Sequence, residues 1–494
     1  MKNKKVVLIN APHTYMLGGW ISLLTYPLSI LAPGSYLTAH DVPVELIDVQ
    51  MDFGIGSTLD AERIIIQRVA QYLHDQADTI SWVGISVMSR VNSELGLALA
   101  KDIHDVLPDI PIIFGGYFPS FTYSDLLQEY PFITAVVRGD GESAALEISR
   151  CLAQGRSFLS DQTPSLAWLD EGQVRTTPPQ TTTLEDAPDL NFQLLPNLEH
   201  YPIIALMTSR GCPFSCNFCN ESRMRPYNTC SPAWVARQLA HLEDETPNDR
   251  IFLWDPIFGA NQKYALEMYR IMGEYRFTYG LQSRVDVISP DIVPILRSSG
   301  VELIYLGIES ASPATLVRMN KVKSIAQGKK YVQDALDVLQ ACFENDITPV
   351  TSMMIPYPGD SIEDFQAAVD FLAKVSQTHD QITAQTGVAT GFLCYVRKTI
   401  IFPGDRLAEQ LEAGEFPETI VSRSPTSGFD TVQSPLAEIT PEEVKSYHAK
   451  VMKLVKLTPL ANKRVSSYLS QSANAFTESN PADDQGVIIV GDRA

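Results

Sequence analysis

Three cysteines occupy one short stretch: Arg210-Gly211-Cys212-Pro213-Phe214-Ser215-Cys216-Asn217-Phe218-Cys219. The chain has only seven cysteines. Random placement would produce a C-x3-C-x2-C cluster roughly one time in a thousand, so the clustering needs a chemical cause. Such spacing lets a short loop present three thiolates to one inorganic centre. A structural zinc would need a fourth protein ligand, usually from a second cysteine pair. No second pair exists, and Cys230, His200 and His241 stand at no familiar spacing. A [4Fe–4S] cluster on three thiolates fits the pattern better, with one iron open to a further ligand.

The elements around this loop read as alternating strands and helices. Apolar runs at Ile203–Ser209, Arg250–Trp254, Tyr279–Gln282, Val301–Gly307, Ile347–Ile355 and Thr386–Val396 predict six strands. Ser231-Pro232 predicts a helix start running to about Leu242. The order implies a partial (β/α)6, TIM-like barrel whose site lies at the carboxyl ends of its strands.

The first 190 residues predict a second α/β unit. Val6–Asn10, Val44–Val49, Trp82–Val87, Ile110–Gly116 and Phe132–Gly139 are short apolar runs separated by helical patterns, one of them capped by Asp60. This is the pattern of a doubly wound, Rossmann-like parallel sheet covered on both faces. Its ligand edge would be the loops around Asn10, Ser86 and Gly115-Gly116. The expected division is a sheet domain over 1–156, a Thr- and Pro-rich linker over 157–200 with a small hairpin before its extended Thr176–Thr183 run, a barrel over 201–407 and a mainly helical C-terminal region with a polar tail over 408–494. The C-terminal region is expected to cover the barrel and shape its pocket.

The cysteine loop, with Phe218 before its last cysteine, resembles the signature of the radical S-adenosylmethionine (radical SAM) superfamily. The strand ends are similar to that family's motifs too: Trp254-Asp255-Pro256, Gln282-Ser283-Arg284-Val285-Asp286, Gly307-Ile308-Glu309-Ser310, Pro356–Ser361 and Pro403-Gly404-Asp405. Pro356 and Asp360 stand where Gly and Glu are usual. The N-terminal half resembles the cobalamin-binding domain of one large class of the family, through Ser86-Val87-Met88, Gly115-Gly116 and Val136–Glu142. The Asp-x-His-x-x-Gly segment found in many cobalamin domains is absent. Asp102-x-His104 comes nearest in pattern, and His13 nearest in position.

The resemblance implies the rest. Cys212, Cys216 and Cys219 would hold a [4Fe–4S] cluster; Asp255, Gln282, Arg284 and Glu309 would contact SAM; Ser86, Gly115 and Gly116 would contact cobalamin. The implied enzyme cleaves SAM reductively to a 5′-deoxyadenosyl radical and methylates an unactivated carbon of a small molecule or natural product. Alternatives are a non-methylating radical reaction (cyclisation, ring contraction or oxidation) and a non-catalytic metal-binding or redox-sensing protein. No residue is assigned as a catalytic acid or base.

Composition limits the partners. The chain has 494 residues, with 38 Lys and Arg against 58 Asp and Glu, for a formal charge of −20. That balance disfavours nucleic acid and anionic membranes, both of which attract basic surfaces. The expected partners are a small-molecule substrate and an external electron donor such as a flavodoxin or ferredoxin. Few cysteines and no secretory signal point to the cytoplasm. The apolar stretch Trp20–Leu37, broken by Pro27, Pro33 and Gly34, is expected to be a buried segment rather than a spanning helix. The charged runs Lys321-Val322-Lys323 and Lys329-Lys330 are expected on a solvated face.

Overall fold

The computed structural model describes residues 4–12, 26–56, 58–89, 92–195, 198–423, 430–468 and 487–488. His13, part of the Trp20–Leu37 run and most of the polar tail lie outside them. Residues up to Ala205, with Ala240–Asn248, form one compact unit. Leu206–Leu239 and Asp249 onward to Tyr468 form the other.

The first unit is built on a seven-stranded sheet: β1 (Lys5–Asn10), β2 (Val44–Asp48), β3 (Ile80–Ser86), β4 (Ile112–Gly115), β5 (Ala135–Val137), β6 (Leu166–Asp170) and β7 (Gln173–Thr176). Their spatial order is β2-β1-β3-β4-β5-β6-β7. The first five are parallel, and β6–β7 is a hairpin added antiparallel to β5. That hairpin comes from the 157–200 stretch. Each central strand is apolar on both sides because helices cover both faces. Val7, Ile9, Val83 and Ile85 pack on Ile66, Val69 and Ile103, all at most 2% exposed. On the opposite face Trp82 is buried and donates to Ser149 Oγ at 3.1 Å. Burying each such side chain contributes about 1.5–3 kcal/mol. The helix Leu59–His74 is capped by Thr58, whose hydroxyl accepts from Ala61 N at 3.1 Å. Asp60, the expected cap, lies in the first turn instead, where its charge suits the helix dipole.

Strand order reverses between β1 and β3. In open α/β sheets this switch point opens a crevice at the carboxyl ends, and ligands bind there.

The second unit is built on the expected six-stranded sheet: β8 (Ile204–Leu206), β9 (Arg250–Leu253), β10 (Thr278–Ser283), β11 (Val301–Glu309), β12 (Thr348–Met354) and β13 (Leu393–Arg397). Strands neighbour one another in chain order, and β9 through β13 pair in parallel. Burial alternates along β11: Leu306 and Ile308 are buried, while Tyr305, Gly307 and Glu309 are half-buried. The half-buried face is the lumen. The last strand begins at Leu393 rather than at the expected Thr386, because the preceding helix, Ile362–Thr386, runs up to that residue and Gly387 then turns the chain out of it.

The C-terminal region divides between the two ends of this barrel. Helix Pro459–Tyr468 closes the amino ends: Arg464 binds both carboxylate oxygens of Asp346 at 2.9 Å, and Tyr468 donates to Thr278 Oγ1 at 2.7 Å. Gly280 leaves room for it, since a Cβ there would lie 2.9 Å from the Tyr468 ring. At the carboxyl ends, Gly359 N donates to Pro435 O at 3.3 Å. Among the described residues no helix is long and apolar enough to cross a membrane.

Candidate functional site

The cysteine loop leaves β8 through a small ribbon. Ser209 and Arg210 pair antiparallel with Thr229 and Asn228, closing the base of the loop. Gly211 has φ +71°, and a Cβ there would lie 2.5 Å from Pro226 O, so the position demands glycine. The loop is pinned from two directions. Asn217 N and Nδ2 donate to Met319 O and Arg318 O, each at 2.9 Å, and Asn320 Nδ2 donates to Ser215 O at 2.7 Å. From beyond β13, Asn220 Nδ2 donates to Pro403 O at 2.9 Å. Sequence reading missed this clamp. Its one local signal is Asn320, an asparagine at φ +51°, a left-handed conformation that Asn tolerates.

Cys212, Cys216 and Cys219 are free and half-buried. Burial pushes the Cys219 thiol up to about 12 and raises Cys212 as well. Metal must therefore displace protons to bind. Among the described residues no group of three or more His, Cys, Asp or Glu converges on a single ion. A cubane takes one thiolate per iron, so its ligands need not converge. The three thiols fit that donor set. Cys230, weighed as a zinc ligand, is instead 2% exposed, and its thiol faces Met207 O at 3.8 Å.

Asp255 follows β9 and is 1% exposed. Its Oδ1 accepts from Thr208 N at 2.6 Å; its Oδ2 accepts from Thr208 Oγ1 at 2.6 Å and Ser209 Oγ at 2.7 Å. Burial raises its pKa, and these bonds to the ionised form oppose the rise. Both oxygens thus hold the corner from which the cysteine loop springs. Gln282 Nε2 donates to Asp255 O at 2.7 Å, so the ends of β8, β9 and β10 are tied together.

Arg284 and Glu309 meet through a residue that was expected on the surface. Lys321 is 6% exposed, and its Nζ lies 3.7 Å from Glu309 Oε1. The turn Met319–Lys321 that clamps the loop also folds this lysine inward. The surface reading fails for Lys321 but describes Lys323, Lys329 and Lys330, which are exposed. Glu309 has φ +70° beside a register shift against β12, and its Oε2 accepts from Ser352 Oγ at 2.8 Å. Gly307 makes space, since a Cβ there would lie 2.6 Å from Glu309 Oε1. Arg284 donates to Lys321 O at 2.9 Å and to Cys216 Sγ at 3.4 Å. One chain of contacts therefore runs from Cys216 through Arg284 and Lys321 to Glu309 and Ser352. Farther along the lumen wall, Tyr305 and Tyr395 stack at 6.4 Å, with Arg397 5.1 Å from the Tyr395 ring centroid. Only the side-chain alternation of β11 and β13 could have flagged these three.

Two turn motifs act as anchors. Asp360 is buried, accepts from Tyr357 N at 2.8 Å and from Thr315 Oγ1 at 2.7 Å, and is pushed up to about 6 by burial. Asp405 caps the helix Arg406–Glu412 through Ala408 N at 2.6 Å.

In the first unit, Ser86 ends β3 at the switch point. It is 7% exposed, and its hydroxyl has no hydrogen-bond partner among the described residues. Gly115 ends the neighbouring β4, and a Cβ there would meet nothing within 4 Å. Gly116 has φ +101° and comes so close to β3 that a Cβ would lie 2.6 Å from Val87 O. An orphaned hydroxyl beside open backbone is what a polar nucleotide tail needs, so these residues fit cobalamin. His104 lies in the helix Ser93–Val106 against the Phe132 ring, and Asp102 binds Arg63. Glu142 is buried and accepts from Thr182 Oγ1 at 3.0 Å, a structural role.

A doubly wound sheet with its ligand edge at the switch point, joined to a parallel barrel with three thiols at its carboxyl ends, defines a class of two-cofactor barrel enzyme. Residues 206–372 match the radical SAM superfamily, and residues 19–149 match the B12 binding domain. The chain thus carries a radical SAM domain and a B12 binding domain. Its cofactors are accordingly a [4Fe–4S] cluster, SAM and cobalamin. An uncharacterized methyltransferase of Pyrococcus horikoshii is 28% identical over 356 residues, covering 70% of this chain and 72% of the relative. An anaerobic magnesium-protoporphyrin IX monomethyl ester cyclase of Rubrivivax gelatinosus is 29% identical over 49% of this chain, which spans only 45% of that enzyme. The fold is similar to that of the radical SAM methyltransferase TsrM of Kitasatospora setae, solved with cobalamin and a [4Fe–4S] cluster bound. The TM-score is 0.70 at 16% identity, over 92% of this chain and 89% of that one.

Proposed function

We propose that this radical SAM enzyme is a cobalamin-dependent methyltransferase acting on an unactivated carbon of a small molecule. The observation that carries the reading is the intact switch point: Ser86 keeps a buried hydroxyl unsatisfied beside the open face of Gly115. A domain that had kept its fold and lost its cofactor would have no reason to retain an orphaned polar group, which costs about 1–3 kcal/mol when unpaired. The methyltransferase name of the 28%-identical relative supports the same reading.

The bound cofactors supply a carbon-centred radical and a transferable methyl group. The chain's residues hold and orient. Cys212, Cys216 and Cys219 are the cluster ligands, set by the Gly211 turn and the Arg318–Asn320 clamp. Asp255 acts on the loop through Thr208 and Ser209, as a positioning residue. Glu309, aimed by Lys321 and Ser352, presents a carboxylate to the SAM side of the lumen, and Gln282 borders it. Ser86, Gly115 and Gly116 form the cobalamin edge, within a sheet domain over 1–156. An external one-electron donor of the flavodoxin or ferredoxin type, in the reducing cytoplasm, completes the requirements.

A second reading, a non-methylating radical cyclisation, is favoured by the 29% identity to the cyclase. Product mass separates the two. The protein is reconstituted anaerobically with iron, sulfide and hydroxocobalamin and given SAM and reductant in the presence of a substrate-containing extract. A product heavier by one CH2, carrying label from methyl-labelled SAM, supports methyl transfer. An unlabelled product with 5′-deoxyadenosine formed supports cyclisation.

A further inference from the structure

The guanidinium of Arg284 is almost fully committed. Nε and one terminal nitrogen bind the two carboxylate oxygens of Asp286, both at 2.8 Å. The same terminal nitrogen donates to Lys321 O at 2.9 Å. The other donates to Cys216 Sγ at 3.4 Å. The group lies 3.9 Å from the centroid of Phe214, a residue of the cysteine loop itself. Arg284 is 6% exposed, so water does not compete. Burial alone would lower its pKa, but the Asp286 carboxylate more than compensates and leaves it raised. It is a fixed cation.

A guanidinium has five N–H donors. Four are used here, and the fifth shares a nitrogen with the bond to Cys216. Gripping a carboxylate in the usual two-pronged way would require giving up an existing partner. Arg284 is thus poorly placed to bind the carboxylate of SAM, the contact that its position in the family motif suggests.

We propose that Arg284 is a positioning residue for the cluster: it donates a charge-assisted hydrogen bond to the Cys216 thiolate and raises the reduction potential of the centre. Hydrogen bonds to cluster sulfur and nearby positive charge both stabilise the reduced, more negative state. Asp286 holds the fork in register, and Phe214 fixes the plane of the guanidinium over the loop. This arrangement couples the end of β10 to one particular cysteine of the three.

The inference rests on the cluster assignment proposed above, and the two fail differently. A chain that takes up no iron and sulfide sinks that assignment. A fully loaded cluster with an unmoved potential sinks only this one.

The test is an anaerobic redox titration of the full-length reconstituted protein without SAM, followed by electron paramagnetic resonance. SAM affinity is measured separately from the change that SAM causes in the reduced-cluster signal. Arg284→Gln is expected to shift the midpoint to more negative potential while SAM Kd changes by less than about threefold. Asp286→Asn, which leaves the arginine but loosens its fork, is expected to shift it the same way by less. Iron and sulfide content verify loading. Should the Gln variant load incompletely, Arg284→Lys carries the same comparison, because it keeps the charge but loses the fork. An unchanged midpoint in the loaded variants, with SAM Kd weakened more than about tenfold, would overturn the proposal and make Arg284 a SAM ligand.

Discussion

Lys321 Nζ lies 3.7 Å from Glu309 Oε1 inside the barrel, with the two side chains 3% and 13% exposed. Removing one member of a buried pair leaves the other charge stranded, which costs on the order of 3 kcal/mol. Lys321→Met should destabilise the chain by that order in denaturant unfolding. The double variant Lys321→Met with Glu309→Gln should recover most of the loss. An additive double variant would mean that the pair does not interact.

Asp255 predicts a separable effect on the cluster. Asp255→Asn keeps the side-chain shape but turns one acceptor into a donor that faces donor groups of Thr208 and Ser209. The corner beneath the loop should loosen. Iron retained after desalting should fall several-fold, while the far-ultraviolet circular dichroism spectrum stays native. Retention equal to the parent would contradict the positioning role.

The two glycines of the cobalamin edge should behave oppositely. Gly115 has space for a side chain, so Gly115→Leu should fold within about 1 kcal/mol of the parent while blocking hydroxocobalamin. Gly116→Ala forces a Cβ at φ +101° against Val87 O and should cost roughly 1–3 kcal/mol before any ligand is added. Corrinoid absorbance after gel filtration and thermal unfolding give the two readouts.

Asp48 ends β2, is 2% exposed and accepts from Tyr201 Oη at 2.8 Å. Burial pushes it up from 3.8 to about 6. Between those values the folded chain keeps a proton that the unfolded chain releases. Stability contributed by this group is therefore full below about pH 4, falls as pH rises toward 6 and is flat above it. Asp360 and Asp405 are raised by burial in the same direction, so Asp48→Asn should make the slope shallower without abolishing it. An unchanged slope, read from unfolding midpoints across that range, would contradict the shift.

What was legible in the sequence follows from where each signal is local. The parallel strands are buried on both faces, so they stand out as apolar runs such as Val6–Ile9 and Val83–Ile85. The cysteine loop is contiguous, and its spacing alone suggests the donor set. Lys321 misleads because its neighbours are charged; its burial depends on the Met319–Lys321 turn tucking under the loop, a tertiary event. Asp255 reads as a SAM ligand from its motif, and its hold on the loop depends on Thr208, 47 residues earlier. The β6–β7 hairpin stands where a small hairpin was expected, just before the extended Thr176–Thr183 run. Its antiparallel addition to β5 leaves no mark in the Thr- and Pro-rich composition around it.

The central claim, that one chain uses both a cluster and cobalamin, is tested most directly by a single anaerobic preparation supplied with iron, sulfide and hydroxocobalamin. Optical and paramagnetic spectra are recorded, and SAM and reductant are then added. The account predicts one corrinoid and one [4Fe–4S] cluster per chain, with 5′-deoxyadenosine formed from SAM and abolished in Cys216→Ala. A chain that loads its cluster yet retains no corrinoid at saturating hydroxocobalamin would contradict it.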